Sequence, residues 1–389
     1  MIPVNTLISK LNDVITTGGL SELELAQVFG AIDSIENNGV SSVATVADLP
    51  SATDNKGRFL YIEDEYRYVF SNGVSWDISN VLKPIDVNLY AWGGSFNGDN
   101  TTEARSSPVS VAGNFVDWIQ ISAGRFHDVG IRANGTAWSW GSNGYGRLGD
   151  GTTTSRLSPV SVVGGFTDWI QVSAGFDHSL GIRANGTAWS WGLSNYGRLG
   201  DNSLVNKSSP VSVIGGFTDW TQITAGGRHS LGLRAGGTIW AWGYNGSGRL
   251  GDNTTTSRLS PVLVVGGFTD WIQVATGSEH CIGLRANGTA WAWGQNGNGR
   301  LGDGTNTNKS SPVSVVGGFT DWIQASAGGG HSVAIRANGT AWAWGSNTNG
   351  QLGDGTNTNK SSPVSVVGGF TDWIQSGSRD DLSLVIRSV

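Results

Sequence analysis

From residue 117 onward, apolar and polar positions alternate in short runs, and every run returns 51 residues later. One unit, residues 117–167, reads DWIQISAGRFHDVGIRANGTAWSWGSNGYGRLGDGTTTSRLSPVSVVGGFT. Four runs stand out: WIQIS, DVGIRA, TAWSWG and SPVSVV. Their period is near two, which is that of a strand with two different faces. Asn134-Gly135 lies between the second and third runs, a strong hairpin signal. No part of the unit carries helical periodicity. Four antiparallel strands per unit, repeated at this spacing, predict the blades of a β-propeller.

The third run explains the tryptophans. Trp138 and Trp140 point one way along the strand, Ala137 and Ser139 the other. The indoles of one blade are expected to fill the space left by the small residues of its neighbour. Full burial of an indole contributes roughly 4–6 kcal/mol gross. Stability therefore accounts for them without any appeal to function.

Five units are complete, and the ends supply a sixth. NLYAWGGSFNGDNTTEARSSPVSV, starting at Asn88, lacks the first half of a unit, and DWIQSGSRDDLSLVIRSV, starting at Asp372, lacks the second. The expected fold is thus mainly β: a six-bladed propeller over residues 81–389, closed by pairing of the N- and C-terminal parts. Seven blades is the alternative, if residues 58–80 hide another. The N-terminal half-blade is edited. Trp92 to Pro108 spans 16 residues where Trp140 to Pro159 spans 19, and Tyr90 stands for the first indole.

The first eighty residues follow another pattern. Leu7, Ile8, Leu11, Val14 and Ile15 share one helical face, and Gly18-Gly19 end that helix. Ser21 can cap a second, carrying Leu23, Leu25, Val28, Phe29, Ile32 and Ile35. Residues 1–41 are read as a helical attachment or oligomerisation segment, with Leu7, Leu11, Val28, Phe29 and Ile32 as its contacts. Residues 42–80 alternate like a small three-stranded β module, with turns near Asp64-Glu65 and Asn72-Gly73.

Composition narrows the function classes. The chain has 389 residues, 60 of them glycine and 18 tryptophan, with 14% charged residues and net charge -6. That balance argues against nucleic acid and anionic membranes as partners. The single cysteine, Cys281, excludes an intramolecular disulfide framework. The opening MIPVNTLISKLNDVITTGG is not read as a signal peptide, and no apolar stretch is long enough for a membrane span, so synthesis in a cytoplasm is expected.

The motif AGxxHSLGIRANGTAWSWGxNxxGRLGDGT, repeated through residues 85–389, resembles the repeat of the regulator of chromosome condensation family. The best-known members have seven blades, against the six counted here. The family includes a nucleotide exchange factor for a small GTPase, a plant ultraviolet-B photoreceptor and bacterial inhibitor proteins. The exchange factor's wedge insertion and basic tail have no counterpart in these uniform units. The photoreceptor's tryptophans fall in loops that here read GRFHD, GFDHS, GGRHS, GSEHC and GGGHS. Residues 43–79 resemble small β modules of structural and fibre proteins of marine bacteriophages.

The periodic polar residues are read as structural. His127, His178, His229, His280 and His331 occupy one repeat position, each expected to bond backbone in its own turn. Spread around a ring, they cannot converge on one ion, so no metal is expected. Leu382 takes that position in the last blade. Asp99, Asp150, Asp201, Asp252, Asp303 and Asp354 are expected to organise loops, and Arg132 and its repeats to pair within their blades. No catalytic set and no cofactor motif is visible, and LGDGTNTNKSSPVSVVGGFTDWIQ occurs twice unchanged, so the chain is read as non-enzymatic. What varies between blades is the loop tips: Arg125, Phe126, Phe176, Asp177, Arg228 and Glu279 in one loop, Tyr145, Tyr196 and Tyr244 in the other. These are the expected binding residues. The favoured reading is a virion structural protein, a tail or capsid appendage or fibre. It would display the propeller for recognition of a host-surface glycan or protein, or of other virion proteins, and form a homo-oligomer, with a trimer as the guess. The alternative is a cytoplasmic regulator that binds a protein partner, as an enzyme inhibitor or an exchange factor would.

Overall fold

Each complete unit folds as a four-stranded antiparallel sheet whose strands follow chain order. In the first, Trp118–Ala123, His127–Arg132, Ala137–Gly141 and Arg156–Ser161 lie side by side. Four more sheets repeat this over residues 169–212, 220–263, 271–314 and 322–365. The computed structural model describes residues 42–43, 59–62, 67–71, 76–77, 88–379 and 382–387. The chain divides into two compact units, Met1–Asp86 and Val87–Val389.

The sixth blade is contributed as two hairpins, Tyr90–Gly93 with Arg105–Ser110 and Trp373–Arg379 with Leu382–Arg387. The expected ladder between Leu382–Arg387 and Tyr90–Gly93 is absent: each hairpin remains a separate two-stranded sheet. The two halves of this blade also lack the covalent link that joins the halves of a complete one. In a complete blade an Asn-Gly turn ties the second strand to the third. Gly135 holds φ +72° there, and a Cβ would lie 2.1 Å from the Thr167 carbonyl oxygen. In the sixth blade the chain's two ends replace that turn.

The core lies between blades, as the strand alternation predicts. Val129, Ile131, Ala137 and Val162 of the first blade pack against Trp169, Val172, Ala174 and Trp191 of the second. The same arrangement joins the second blade to the third and the fourth to the fifth. Trp140, Trp191, Trp242, Trp293 and Trp344 are fully buried. Their partners Trp138, Trp189, Trp240, Trp291 and Trp342 are half-buried. Each of these five stacks on a phenylalanine, at centroid distances of 4.8–5.0 Å.

In the Met1–Asp86 unit, Phe59–Ile62, Arg67–Ser71 and Trp76–Asp77 are antiparallel neighbours. Ser42–Val43 adds a fourth strand, parallel to Tyr61-Ile62. Two residues carry no period, so alternation gives no sign of it. The helices expected in residues 1–41, with Leu7, Leu11, Val28, Phe29 and Ile32, lie outside the described residues.

Candidate functional site

The blades are locked together by a repeating polar code, and that code decides which residues are free for function. His127 Nε2 lies 2.7 Å from Ser179 Oγ in the next blade, and Ser179 Oγ donates to the Arg147 carbonyl at 2.8 Å. The hydroxyl's single proton is committed to a carbonyl, so the imidazole must donate through Nε2–H. His178–Ser230, His229–Cys281, His280–Ser332 and His331–Ser383 repeat the link. The partner is therefore the neighbouring blade's hydroxyl or thiol, not the turn backbone that the repeat position alone suggests. Single-sequence reading misses it because the partner is 52 residues away. Gly226 serves the same junction: a Cβ there would sit 2.5 Å from His229 Cε1. Burial, followed by nearby arginines, holds His178, His229 and His280 neutral, well below the usual imidazole range.

A glutamine row crosses each of the five described junctions, and a hydroxyl row crosses all but the one where the fourth blade has Ala275. Gln120 Oε1 accepts from the Val172 amide at 2.8 Å, and Ser122 Oγ accepts from the Ala174 amide at 2.9 Å. Asp150 accepts from Thr152, Asn143 and Arg156 and holds its loop shut. Arg132 bonds Asp117 at 2.8 Å and lies over Phe115. These residues are structural.

What remains is a rim where two sets of variable loops meet. Arg125 is exposed and lies over two rings, Phe126 at 5.2 Å and Phe176 at 4.8 Å. Tyr145 and Phe126 both contact the Arg147 guanidinium, at 5.3 and 5.5 Å. Asp177 pairs with Arg147 at 3.1 Å and faces Arg198 at 3.9 Å. Tyr196 and Tyr244 stack at 4.6 Å, and Arg228 and Arg249 both lie over Tyr244. Glu279 pairs with Arg249. All nine expected binding residues are thus joined into one band across the first four blades. Tyr196 carries φ +64°, a left-handed backbone that a bulky side chain seldom adopts, and it stays 44% exposed.

The arginines that knit this band together are the residues sequence reasoning passed over. Arg147, Arg198, Arg249 and Arg300 come from the GRLG of each unit, and all four are buried. Burial lowers each guanidinium from its usual range, Arg198 to about 10, with Asp177 opposing the shift. Arg198 and Arg300 also donate to the Gly227 and Gly329 carbonyls of the next blade. The signal was present as a strict repeat of arginine, broken only by Gln351 in the fifth unit. The fifth blade is bare at this rim: Gly328-Gly329-Gly330 replaces the decorated loop. Inside the rim, the Ala-Gly turns of successive blades converge on a narrow cavity of about 100 Å³, which Arg125 and Phe176 also line. It is too small for a ligand pocket of ordinary size.

Residues 85–385 match the model of the RCC1-like domain. The chain belongs to this family. It is 29% identical over 312 residues to the ultraviolet-B receptor UVR8 of Arabidopsis thaliana, covering 76% of this chain and 70% of that protein. It is 30% identical over 254 residues to the mouse E3 ubiquitin-protein ligase HERC2, covering 62% of this chain but only 5% of the ligase. The solved structure of human WBSCR16 matches with a TM-score of 0.66 at 23% identity, over 76% of this chain and 79% of that one. That match is a likeness of fold. An RCC1-like propeller is a frame, and a frame does not by itself fix function.

Proposed function

We propose that this chain is a non-enzymatic recognition protein whose RCC1-like propeller binds its target through the rim over the first four blades. The observation that carries this reading is asymmetry. A closely copied repeat places Phe126, Tyr145 and Tyr196, all exposed, on the same side as Arg125 and Arg228, which have no ion-pair partner among the described residues. The fifth blade presents glycine there. Aromatic rings with arginine beside them are the common anchors of protein interfaces. The left-handed backbone of Tyr196 costs free energy that packing alone does not require, a mark of functional sites.

The biological setting we infer is a virion appendage. Residues 43–79 support it through their resemblance to bacteriophage structural modules, and the apolar content of residues 4–35 supports an attachment or homo-oligomer role. The target is then a host-surface glycan or protein, or a neighbouring virion protein.

The test is binding of labelled full-length protein to host cells and to purified particles, with Tyr145→Ala/Tyr196→Ala and Arg125→Ala/Phe126→Ala as variants. Each pair is expected to weaken binding at least tenfold with an unchanged melting temperature. Undiminished binding by both variants would remove the rim from the proposal. Absence of the chain from particles, by mass spectrometry, would remove the virion setting.

A further inference from the structure

The histidine–hydroxyl link of the junction code is lost at one place, and the loss is written in the sequence. The Nε2 donor becomes Leu382, the hydroxyl position facing it becomes Asp128, and the hydroxyl that bonds the next inner strand becomes Gly377. Among the described residues, Gln375 makes no bond to Ile121 of the kind that Gln120 makes to Val172. The C-terminal hairpin is tied to the fifth blade through Ser326–Ser378 and His331–Ser383. The N-terminal hairpin is tied to the first blade, with Asn100 donating to the Leu157 carbonyl and Gly98 against Trp140. The sixth blade is thus split between its second and third strands.

The split is a groove. A cavity of about 660 Å³ lies there, walled by Tyr90, Trp92, Ile121, Phe126, Leu382 and Leu384. Trp92 is 62% exposed, although its counterparts Trp140, Trp191, Trp242, Trp293 and Trp344 are buried. Leu382, Leu384 and Ile386 alternate along one strand at 57, 59 and 53% exposure. Both walls are strand edges, and neither carries a lysine or proline to guard it, although the Tyr90–Gly93 strand has a register shift between Ala91 and Gly93. An unpaired backbone edge is satisfied by another backbone, and an alternating apolar row by a strand of the same period.

We propose that this groove accepts one extended peptide segment of a binding partner, apolar at alternate positions, which pairs with Leu382–Arg387 on one side and Tyr90–Gly93 on the other. Six paired residues match the length of Leu382–Arg387. The five complete blades show what sits on such an edge: Ala341–Gly345, for example, pairs along His331–Arg336. The groove adjoins the aromatic rim and shares Arg125 and Phe126 with it, whereas Leu382, Leu384 and Trp92 belong to the groove alone.

The probe is a fluorescent peptide with the sequence of residues 337–345, ANGTAWAWG, added to full-length protein and read by anisotropy. Saturable binding is expected, and a peptide with proline at the position of Ala341 should lose it. The variant Gly377→Ser/Leu382→His/Asp128→Ser, which restores the junction code, should bind at least tenfold more weakly. No saturable binding, or binding indifferent to both changes, overturns the proposal. Hydrogen exchange gives the second measurement. Without peptide, the amides of Leu382–Arg387 should exchange faster than those of His331–Arg336, and peptide should slow them. Equal protection without peptide would mean that the chain itself, or a second copy if the protection rises with concentration, already fills the groove, and the proposal would fall.

Discussion

His229 Nε2 meets Cys281 Sγ at 3.1 Å, where the other four junctions between histidine and the following blade use a serine hydroxyl. The thiol passes the link on, donating to the Arg249 carbonyl at 3.2 Å. A thiol is a weaker donor and acceptor than a hydroxyl, so this histidine link is the weakest of the five. Burial pushes the Cys281 thiol well above the usual range, so it stays protonated.

Cys281→Ser is therefore expected to stabilise the protein by about 0.5–1 kcal/mol, the difference of one good hydrogen bond. His229→Ala should cost roughly 1–3 kcal/mol, through a lost bond and a buried void. Urea denaturation of both variants checks the pair of signs. A destabilised Cys281→Ser would mean that the larger sulfur atom is needed for packing at this junction.

The same histidines set the acid limit. His178, His229 and His280 are held neutral by burial, so the folded state resists protons that the unfolded chain binds near pH 6.5. The unfolded state then carries more protons, and stability must fall as pH falls below about 6.5. Each histidine contributes a loss of roughly 1 kcal/mol per pH unit below that value. The melting temperature is expected to be flat from about pH 7 to 8 and to drop steeply by about pH 5.5. In His178→Gln/His280→Gln the slope of that drop should be shallower, a readout that lost packing alone would not change.

The buried arginines make a prediction of opposite character. Arg249 is 1% exposed, and Glu279 faces it from the next blade. Removing the acid leaves a charge in the interior without its counterion. Glu279→Ala is expected to cost about 3 kcal/mol, toward the figure for breaking a buried pair. Arg249→Gln should cost less, because the chain already uses Gln351 at the same position of the fifth blade, also buried. If the two single variants were equally destabilised, the pair would be acting as one hydrogen-bonded unit, and the double variant would then cost no more than either alone.

The blades were legible because their signal is repeated. Trp138 beside Trp140, with Asn134-Gly135 before them, dictates a strand with two faces and a hairpin, and five copies leave little room for another reading. The in-blade partners of Arg132 and Asp150 were legible too, since they lie 15 and 6 residues away. The junction partners were not. Ser179 and His127 are adjacent only because the ring places successive blades side by side, and no local pattern expresses that. The nine rim residues were singled out by their variability within a constant frame. Arg147, Arg198 and Arg249, which join them, were missed for the converse reason: a residue that never changes reads as scaffold. The split in the sixth blade was half legible. Leu382 and Gly377 break the repeat visibly, but the loss of pairing accompanies a missing turn, which complementary sequence halves conceal.

The last prediction concerns the C-terminal hairpin, which caps the fifth blade. Among the links across that junction, the Ser376 amide donates to Gln324, Ser326 meets Ser376 and Ser378, His331 meets Ser383, and Ser383 donates to the Gln351 carbonyl. Val385 also packs over Val333, Ala343 and Leu352, which are otherwise buried. Ending the chain after Phe370 removes these bonds, at about 1 kcal/mol each, and exposes that apolar face. That uncovered apolar face is a site for aggregation. The truncated protein is expected to melt several degrees lower and to form aggregates on size-exclusion chromatography. Because the hairpin is not paired to Tyr90–Gly93, the first blade should be unaffected, and hydrogen exchange in Trp118–Gly141 should match the full chain. Simultaneous loss of protection in the first and fifth blades would instead show that the two ends of the ring are coupled in solution, as they would be if the sixth blade were whole.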